Sequence, residues 1–326
     1  MWNNVVWKML LPLLWISVAA IGLAQKPQAP VTAIAVSPDG KQIVFARSHQ
    51  LLQCPWDHPD QTEILTTRVN RILKLRFSAG GKILFIAGGI PGESGTVEKL
   101  EMSTGRSVWF KQLHDDVVHD FDLGLDYLIT ASHDQSCKVV RRSDADIQNS
   151  FEGHSRPVTG IRFLGKLAVS TGVDQSIRIW DPQQIRELRN LNNHRAAVHA
   201  LVSWQQPNPA DPDGSQEICC TVSQDKTIRF WQPMIGRMIR FCQMKSGYPL
   251  CLTHAPNPQG DQEVYVGTSD GRLLVIDFRT AHIQLSTAIS TVGIEVIVKH
   301  PVKKHWVTGD AAGELKITKD PRNDGS

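Results

Sequence analysis

From Val31 onward the chain is a succession of short apolar runs, alternating with polar residues or wholly apolar, separated by turn residues. The clearest stretch starts at Gly153-His154 and reads PVTGIRF, KLAVSTGVD, SIRIWD and IRELRNLNNH. The next starts at His194 with AVHALVSW, EICCTVSQD, TIRFWQ and RMIRFCQ, and the one before starts at His114 with VVHDFDL, YLITASHD, SCKVVRR and IQNSFEGH. Runs of this length, rich in Val, Ile, Leu and Phe and bounded by turn chemistry, predict strands. Fainter copies lie on both sides. VTAIAVSPDG opens the first, with a Pro-Asp-Gly turn, and GIEVIVKHP, HWVTGDAA and GELKIT form the last.

Aligned at the end of the third run, the units fall at Pro55, Leu100, Val140, Trp180, Trp231, Ile276 and Thr318, at intervals of 40 to 51 residues. Four strands in a period near 40–45 residues are the blade of a β-propeller, because one such sheet buries its faces only against neighbouring copies. Seven units account for the chain from residue 25 to 326 as one all-β domain. The one long interval contains Gln205 to Gln216, QQPNPADPDGSQ, which reads as a surface loop between the first and second strands.

Gly153-His154 with Trp180-Asp181, and Asn193-His194 with Trp231, carry a further resemblance: the chain is similar to WD40-repeat proteins. Within it, IRFWQPMIGRMIRF is similar to a blade of bacterial WD-repeat proteins, some of them fused to cytochrome-type domains. The resemblance implies a seven-bladed WD40-type β-propeller, its last blade incomplete or closed by an N-terminal strand near Ala20 to Gln25. It also implies a buried His–hydroxyl–Asp–Trp network in each complete blade. The sets it assigns are His194, Ser223, Asp225 and Trp231; then His154, Asp174 and Trp180, with Ser170 substituting because Gly172 holds the hydroxyl position. A third set has His114, Ser132 and Asp134, with Val140 in place of Trp. In the sixth unit Thr268 and Asp270 remain, Ser246 replaces His and Ile276 replaces Trp. A His, Ser and Asp together suggest hydrolysis, but a trio that recurs blade after blade is a brace: a catalytic site is one asymmetric constellation, and a linked, satisfied network rigidifies a core.

Composition narrows the function classes. Lys and Arg number 35 against 32 Asp and Glu, with no block of like charge, so no basic stripe for nucleic acid is present. The six cysteines, Cys54, Cys137, Cys219, Cys220, Cys242 and Cys251, form no C-x-x-C and no C-x-x-C-H. Covalent haem is thereby excluded, and each thiol reads as a small buried hydrophobe of a strand. H-E-x-x-H, G-x-S-x-G and phosphate-loop motifs are absent. Of the channel-lining first strands only Asp120, Asp122 and Glu295 offer carboxylates. Asp120 and Asp122 share a strand face and read as a solvated pair, so no metal or other cofactor is assigned.

Residues 1–24 differ from the rest: Lys8 precedes an apolar run from Met9 to Ala24 that ends in Gly-Leu-Ala. That pattern reads as a signal peptide, or as an uncleaved anchor giving membrane association through residues 9–24, and places the protein outside the cytoplasm or on a membrane. The leading functional expectation is a non-catalytic scaffold for protein or peptide partners. Its candidate face is formed by the fourth-to-first and second-to-third strand turns, with Asp115, Asp116, His133, Ser155, Arg156, Arg195, Gln224 and Tyr248. The alternatives are a metal-dependent hydrolase or lyase working in the central channel and an accessory subunit of a membrane or electron-transfer complex.

Overall fold

A computed structural model describes residues 28–208, 211–256, 260 and 262–320. They form seven antiparallel sheets, six of four strands and one of three, each built from strands consecutive in sequence. The ring of sheets is the propeller that the 40-odd-residue period predicts. The innermost strands are Val31–Val36, Arg71–Phe77, Val118–Leu123, Val158–Leu164, Val198–Asn208, Pro249–Pro256 and Ile294–Lys299, which define blades 1 to 7.

Burial explains why the blades stack. The second strands are buried on both faces because each blade is sandwiched between two others; Leu167–Gly172 is buried at every residue after the first. The outer strands alternate or are exposed, as in Arg186–Leu191, where only Leu191 is buried. The apolar clusters each span an interface: Ile129, Val139 and Phe151 of blade 3 pack with Val158, Ile161 and Trp180 of blade 4. Phe151 stacks flat on Trp180, ring centroids 4.5 Å apart.

The register slips by one residue near the start of the inner strand in every blade, at its second residue or, in blade 2, its third. A bulge there re-aims a side chain and tightens the local twist. The bulged residues are Thr32, Leu73, His119, Thr159, His199, Leu250 and Glu295, and all of them line the central channel. Two of the bulges stitch blades together. Thr32 Oγ1 donates to Ile72 O of the next blade at 2.6 Å, and Thr159 Oγ1 donates to Val198 O at 2.5 Å.

The ring closes between blades 7 and 1. Val31, Ile43 and Phe45 share a cluster with Val307, flanked by Val296, Leu315 and Ile317. His300 meets Gly40 O at 3.0 Å, Arg47 Nε donates to Gly313 O at 3.0 Å, and Lys303 pairs with Asp57 at 2.8 Å. Blade 7 has three strands among the described residues. The expected closing strand near Ala20 to Gln25, the leader at 1–24 and the tail at 321–326 lie outside them. No helix among the described residues is long and apolar enough to cross a membrane.

One expectation is corrected. Residues 205–208 and 211–216 are no irregular loop; the first two strands of blade 5 run on as a paired hairpin, Gln205 opposite Glu217 and Pro207 opposite Ser215. The polar side chains hold it: Gln205 Nε2 donates to Glu217 Oε1 at 2.7 Å, and Gln232 reaches Gln216 from the third strand. Past the body of the blade this ladder has free edges, where a proline lacking its N–H is tolerated.

Candidate functional site: clasps, face and channel

The second-to-third strand turn sets each clasp. After Asp134, Asp174 and Asp225 the next residue, Gln135, Gln175 or Lys226, takes a positive φ of 74°, 68° or 66°. A side chain in that left-handed region costs roughly 1–2 kcal/mol, offset by the aspartate, whose carboxylate satisfies the turn's own amides. Thus Asp225 Oδ1 accepts from Thr227 N at 2.9 Å and from Thr227 Oγ1 at 2.5 Å. Ser136 and Ser176 do the same for Asp134 and Asp174.

In blade 5 a relay runs inward. His194 Nδ1 lies 2.9 Å from Asp225 Oδ2 and its Nε2 lies 2.8 Å from Thr221 Oγ1, which also accepts from Trp231 Nε1 at 2.9 Å. The carboxylate assigns the proton to Nδ1, so Nε2 accepts from the threonine hydroxyl; each donor has one acceptor. Blade 4 repeats this with His154, Asp174, Ser170 and Trp180. Blade 3 has His114 between Asp134 at 2.8 Å and Thr130 at 2.7 Å, and Val140 where the indole would be.

Burial would raise the Asp225 carboxyl pKa, but hydrogen bonds from Thr227, Arg195 N–H and His194 override it and hold the value at about 2. Burial pushes the His114 and His194 pKa values down despite their aspartates.

The expected hydroxyls in two clasps are corrected. Ser132 and Ser223 do not bridge histidine to the indole position; Thr130 and Thr221 do. Ser223 lies at the mouth of the turn, donating to Ala196 O and accepting from Asp225 N. Ser132 likewise donates to Asp116 O and accepts from Asp134 N. The reason is register. Trp231 pairs with Cys219, so its ring reaches diagonally to residue 221, whereas residue 223 lies a further two residues, roughly 7 Å, toward the turn. Ser170, read as a substitute, occupies the position that Thr130 and Thr221 share. In blade 6 Thr268 Oγ1 donates to Asp270 at 2.6 Å and Ser246 to the same carboxylate at 3.0 Å. Blade 7 has an equivalent that sequence reasoning missed, Ser290 to Asp310 at 2.6 Å.

The candidate face is built directly on these clasps. Asp115, Ser155 and Arg195, each exposed and each one residue after a clasp histidine, donate their backbone N–H to Asp134, Asp174 and Asp225 at 3.2, 3.2 and 3.0 Å. His133, Arg156 and Gln224 are exposed beside them. Asp116 and Tyr248 are less available. Asp116 is half-buried and accepts from Gly92 N at 2.9 Å; Tyr248 is half-buried, stacked on His199 with centroids 5.8 Å apart.

The channel carboxylates are corrected too. Asp120 and Asp122 are no solvated pair. Asp120 is buried, with Arg162 at 2.5 Å, Lys74 at 3.2 Å and Arg76 at 3.7 Å. Asp122 accepts from Phe163 N at 2.9 Å, and Arg76 lies 3.8 Å away. The cations come from KLR on the blade 2 inner strand and from Arg162 on that of blade 4, so three neighbouring strands present an alternating belt of charge. A two-residue spacing of like charge, K-x-R beside D-x-D, is the signal that identifies it. Against the burial cost, Arg162, Lys74 and Arg76 hold Asp120 well below the usual carboxylate range. Glu295 projects into the same channel, its pKa raised by burial and by Asp310.

All six cysteines are free and buried. Burial pushes the Cys251 thiol up to about 12 and raises Cys137, Cys219 and Cys220 further, which makes them unreactive core residues.

With the geometry established, comparison with known proteins places it. Residues 146–181 and 185–232 match the model of the WD domain, G-beta repeat; these segments hold the two clasps that have a tryptophan. Telomerase protein component 1 of Mus musculus is 24% identical over 190 residues, 58% of this chain and 7% of that protein, so the chain spans a small part of that relative. A chain of the mitotic checkpoint complex superposes with a TM-score of 0.75 at 17% identity, covering 98% of this chain and 99% of that one. The WD40 beta propeller domain of Doa1 superposes with a TM-score of 0.73 at 12% identity over 93% and 97%. Two segments of the chain therefore match the WD repeat, and the whole folds as a seven-bladed propeller.

Proposed function

We propose that the protein is a non-catalytic scaffold that takes a protein or peptide partner on the face formed by Asp115, His133, Ser155, Arg156, Arg195 and Gln224. One observation carries this reading. The backbone of the exposed residues is hydrogen-bonded to the clasp aspartates, so the buried network fixes the geometry of the surface above it. A surface held in place before binding loses little entropy on association. The mixture of arginine, histidine and carboxylate suits a partner of mixed charge, for which arginine supplies bidentate contacts. Similar propellers occur in the mitotic checkpoint complex, which favours an assembly role. Asp120 and Asp122 are committed to Lys74, Arg76 and Arg162, which disfavours the alternative of a metal-dependent hydrolase or lyase. The apolar run from Met9 to Ala24 supports export or N-terminal anchoring; N-terminal sequencing of the mature protein tests it, a start at Gln25 indicating cleavage.

Affinity purification with mass spectrometry tests the face. Arg156→Glu combined with Arg195→Glu should abolish recovery of the specific partners, and Lys166→Glu, in an exposed turn on the opposite face, should leave it intact. Equal recovery by both variants removes the reading.

A further inference from the structure

Exposed charges on the clasped face are sorted by sign, whereas on the opposite face they pair. There Lys303 meets Asp57 at 2.8 Å and Arg141 meets Asp144 at 2.9 Å. Going round the clasped face, the turns first present Glu93, Asp115 and Glu152, over blades 2 and 3. They then present Arg156, Arg195, Lys226 and Lys245, over blades 4 to 6. All seven side chains are exposed, and none has an ion pair or hydrogen bond among the described residues. Even Glu152 and Arg156, in one turn on either side of His154, stay apart. Exposed pairs contribute little to stability, so the sorting is neutral for the fold. Its effect is a field of two signs, which orients a partner and rejects wrong ones.

The acidic arc also holds a notch of about 360 Å³ between blades 3 and 4, bordered by Asp115, Gln135, Ser150 and Glu152. Ser150 Oγ is buried there without a hydrogen-bond partner among the described residues, although buried hydroxyls are ordinarily satisfied. Lys138 borders the notch too, but its Nζ donates to Leu113 O at 2.5 Å. A lysine or arginine side chain entering the notch would donate to Ser150 Oγ and lie between the two free carboxylates. Resting on the reading of this face as the partner-binding one, we infer that it recognises an extended polypeptide whose charges fall in two blocks. A basic residue seats in the notch, and acidic residues lie over the arc from Arg156 to Lys245, where the arginine forks take carboxylates bidentately. The acidic arc repels a polyanion, and the basic arc repels a uniformly basic segment.

The probes are fluorescein-labelled peptides of three lysines, a glycine–serine spacer and three glutamates, made in both chain directions, and a third with the same charges alternating. Anisotropy titration of full-length protein, repeated at low salt and at about 0.15 M, should show one block peptide binding about tenfold tighter than the alternating one. Asp115→Lys with Glu152→Lys should remove that preference, and so should Arg156→Glu with Arg195→Glu. Melting midpoints should not change, because all four residues are exposed. Equal affinity for block and alternating peptides overturns the inference, as does a preference that survives either reversal. Failure here is distinguishable from failure of the face. If Arg156→Glu with Arg195→Glu loses the purified partner while the peptides bind equally, only the two-block partner falls; if that variant recovers the partner normally, both fall.

Discussion

Thr221→Val tests the clasp of blade 5. The substitution preserves shape and removes one hydroxyl. Thr221 is fully buried, and its oxygen joins His194 Nε2 at 2.8 Å to Trp231 Nε1 at 2.9 Å. Both partners are buried, Trp231 completely, so neither finds water when the hydroxyl is gone. Two hydrogen bonds at about 1 kcal/mol each disappear, and a buried indole N–H left without an acceptor costs about 1–3 kcal/mol. Loss of about 3–5 kcal/mol is expected on that basis. Ser223→Ala removes bonds to Ala196 O and Asp225 N at the turn mouth and should cost about 2 kcal/mol. Urea denaturation followed by tryptophan fluorescence and far-ultraviolet dichroism reads both, provided the two probes coincide. If Ser223→Ala is the more damaging change, or Thr221→Val shifts the midpoint by less than about 0.5 kcal/mol, the relay through residue 221 is wrong.

Further outcomes follow from the same geometry. Stability should fall as pH drops: the folded-state pKa values of His114 and His194 lie below their unfolded value, so the unfolded chain binds more protons below about pH 6.5 and the native state loses ground. Asp225, held at about 2, adds a loss between about pH 4 and 2; a melting midpoint constant from neutral pH to below 5 contradicts the histidine effect, and one constant from pH 4 to 2 contradicts the aspartate effect. Asp120→Asn leaves Lys74, Arg76 and Arg162 without their shared carboxylate and should destabilise by about 3–5 kcal/mol, read by calorimetry; an unchanged melting point removes its role as the pin between blades 2 and 4. Gly309→Ala drives a methyl into Val31 Cγ1 at the seam of blades 7 and 1 and should cost about 1–3 kcal/mol; a neutral result in thermal unfolding means the seam is looser than described. Native protein should resist thiol labelling at all six buried cysteines, and fast reaction of any one indicates local opening.

The period and the strand pattern were legible because each blade is a short-range object: alternation, turn residues and a 40-odd-residue interval are all written locally. Blade 7 illustrates the reach of that signal, since GIEVIVKHP and HWVTGDAA became strands without any signature dipeptide. The clasp was readable only to within one register step. Ser223 and Thr221 point to the same side of one strand, and sequence order does not say which of them the indole of Trp231 reaches. The pattern D-x-[ST] holds the turn hydroxyls Ser136, Ser176 and Thr227 as DQS twice and DKT once, but it recurs as DQT at 60–62 and as DGS at 213–215 and 324–326, so it does not single out the clasps. The charge belt was read as half of itself: Asp120 and Asp122 were visible as a facing pair, but their cations come from strands about 40 residues away on either side, a separation beyond the range of local pattern. The hairpin at 205–216 was hidden by its prolines, which weaken the strand signal without preventing pairing at a free edge.

Hydrogen–deuterium exchange on the protein with and without the partner recovered by affinity purification asks most directly whether the clasped face is the one that binds. Protection should concentrate at residues 115–116, 133, 155–156, 195 and 224. Protection confined to the turns around 124–126, 165–166 and 182–185 on the other side of the ring would contradict the account.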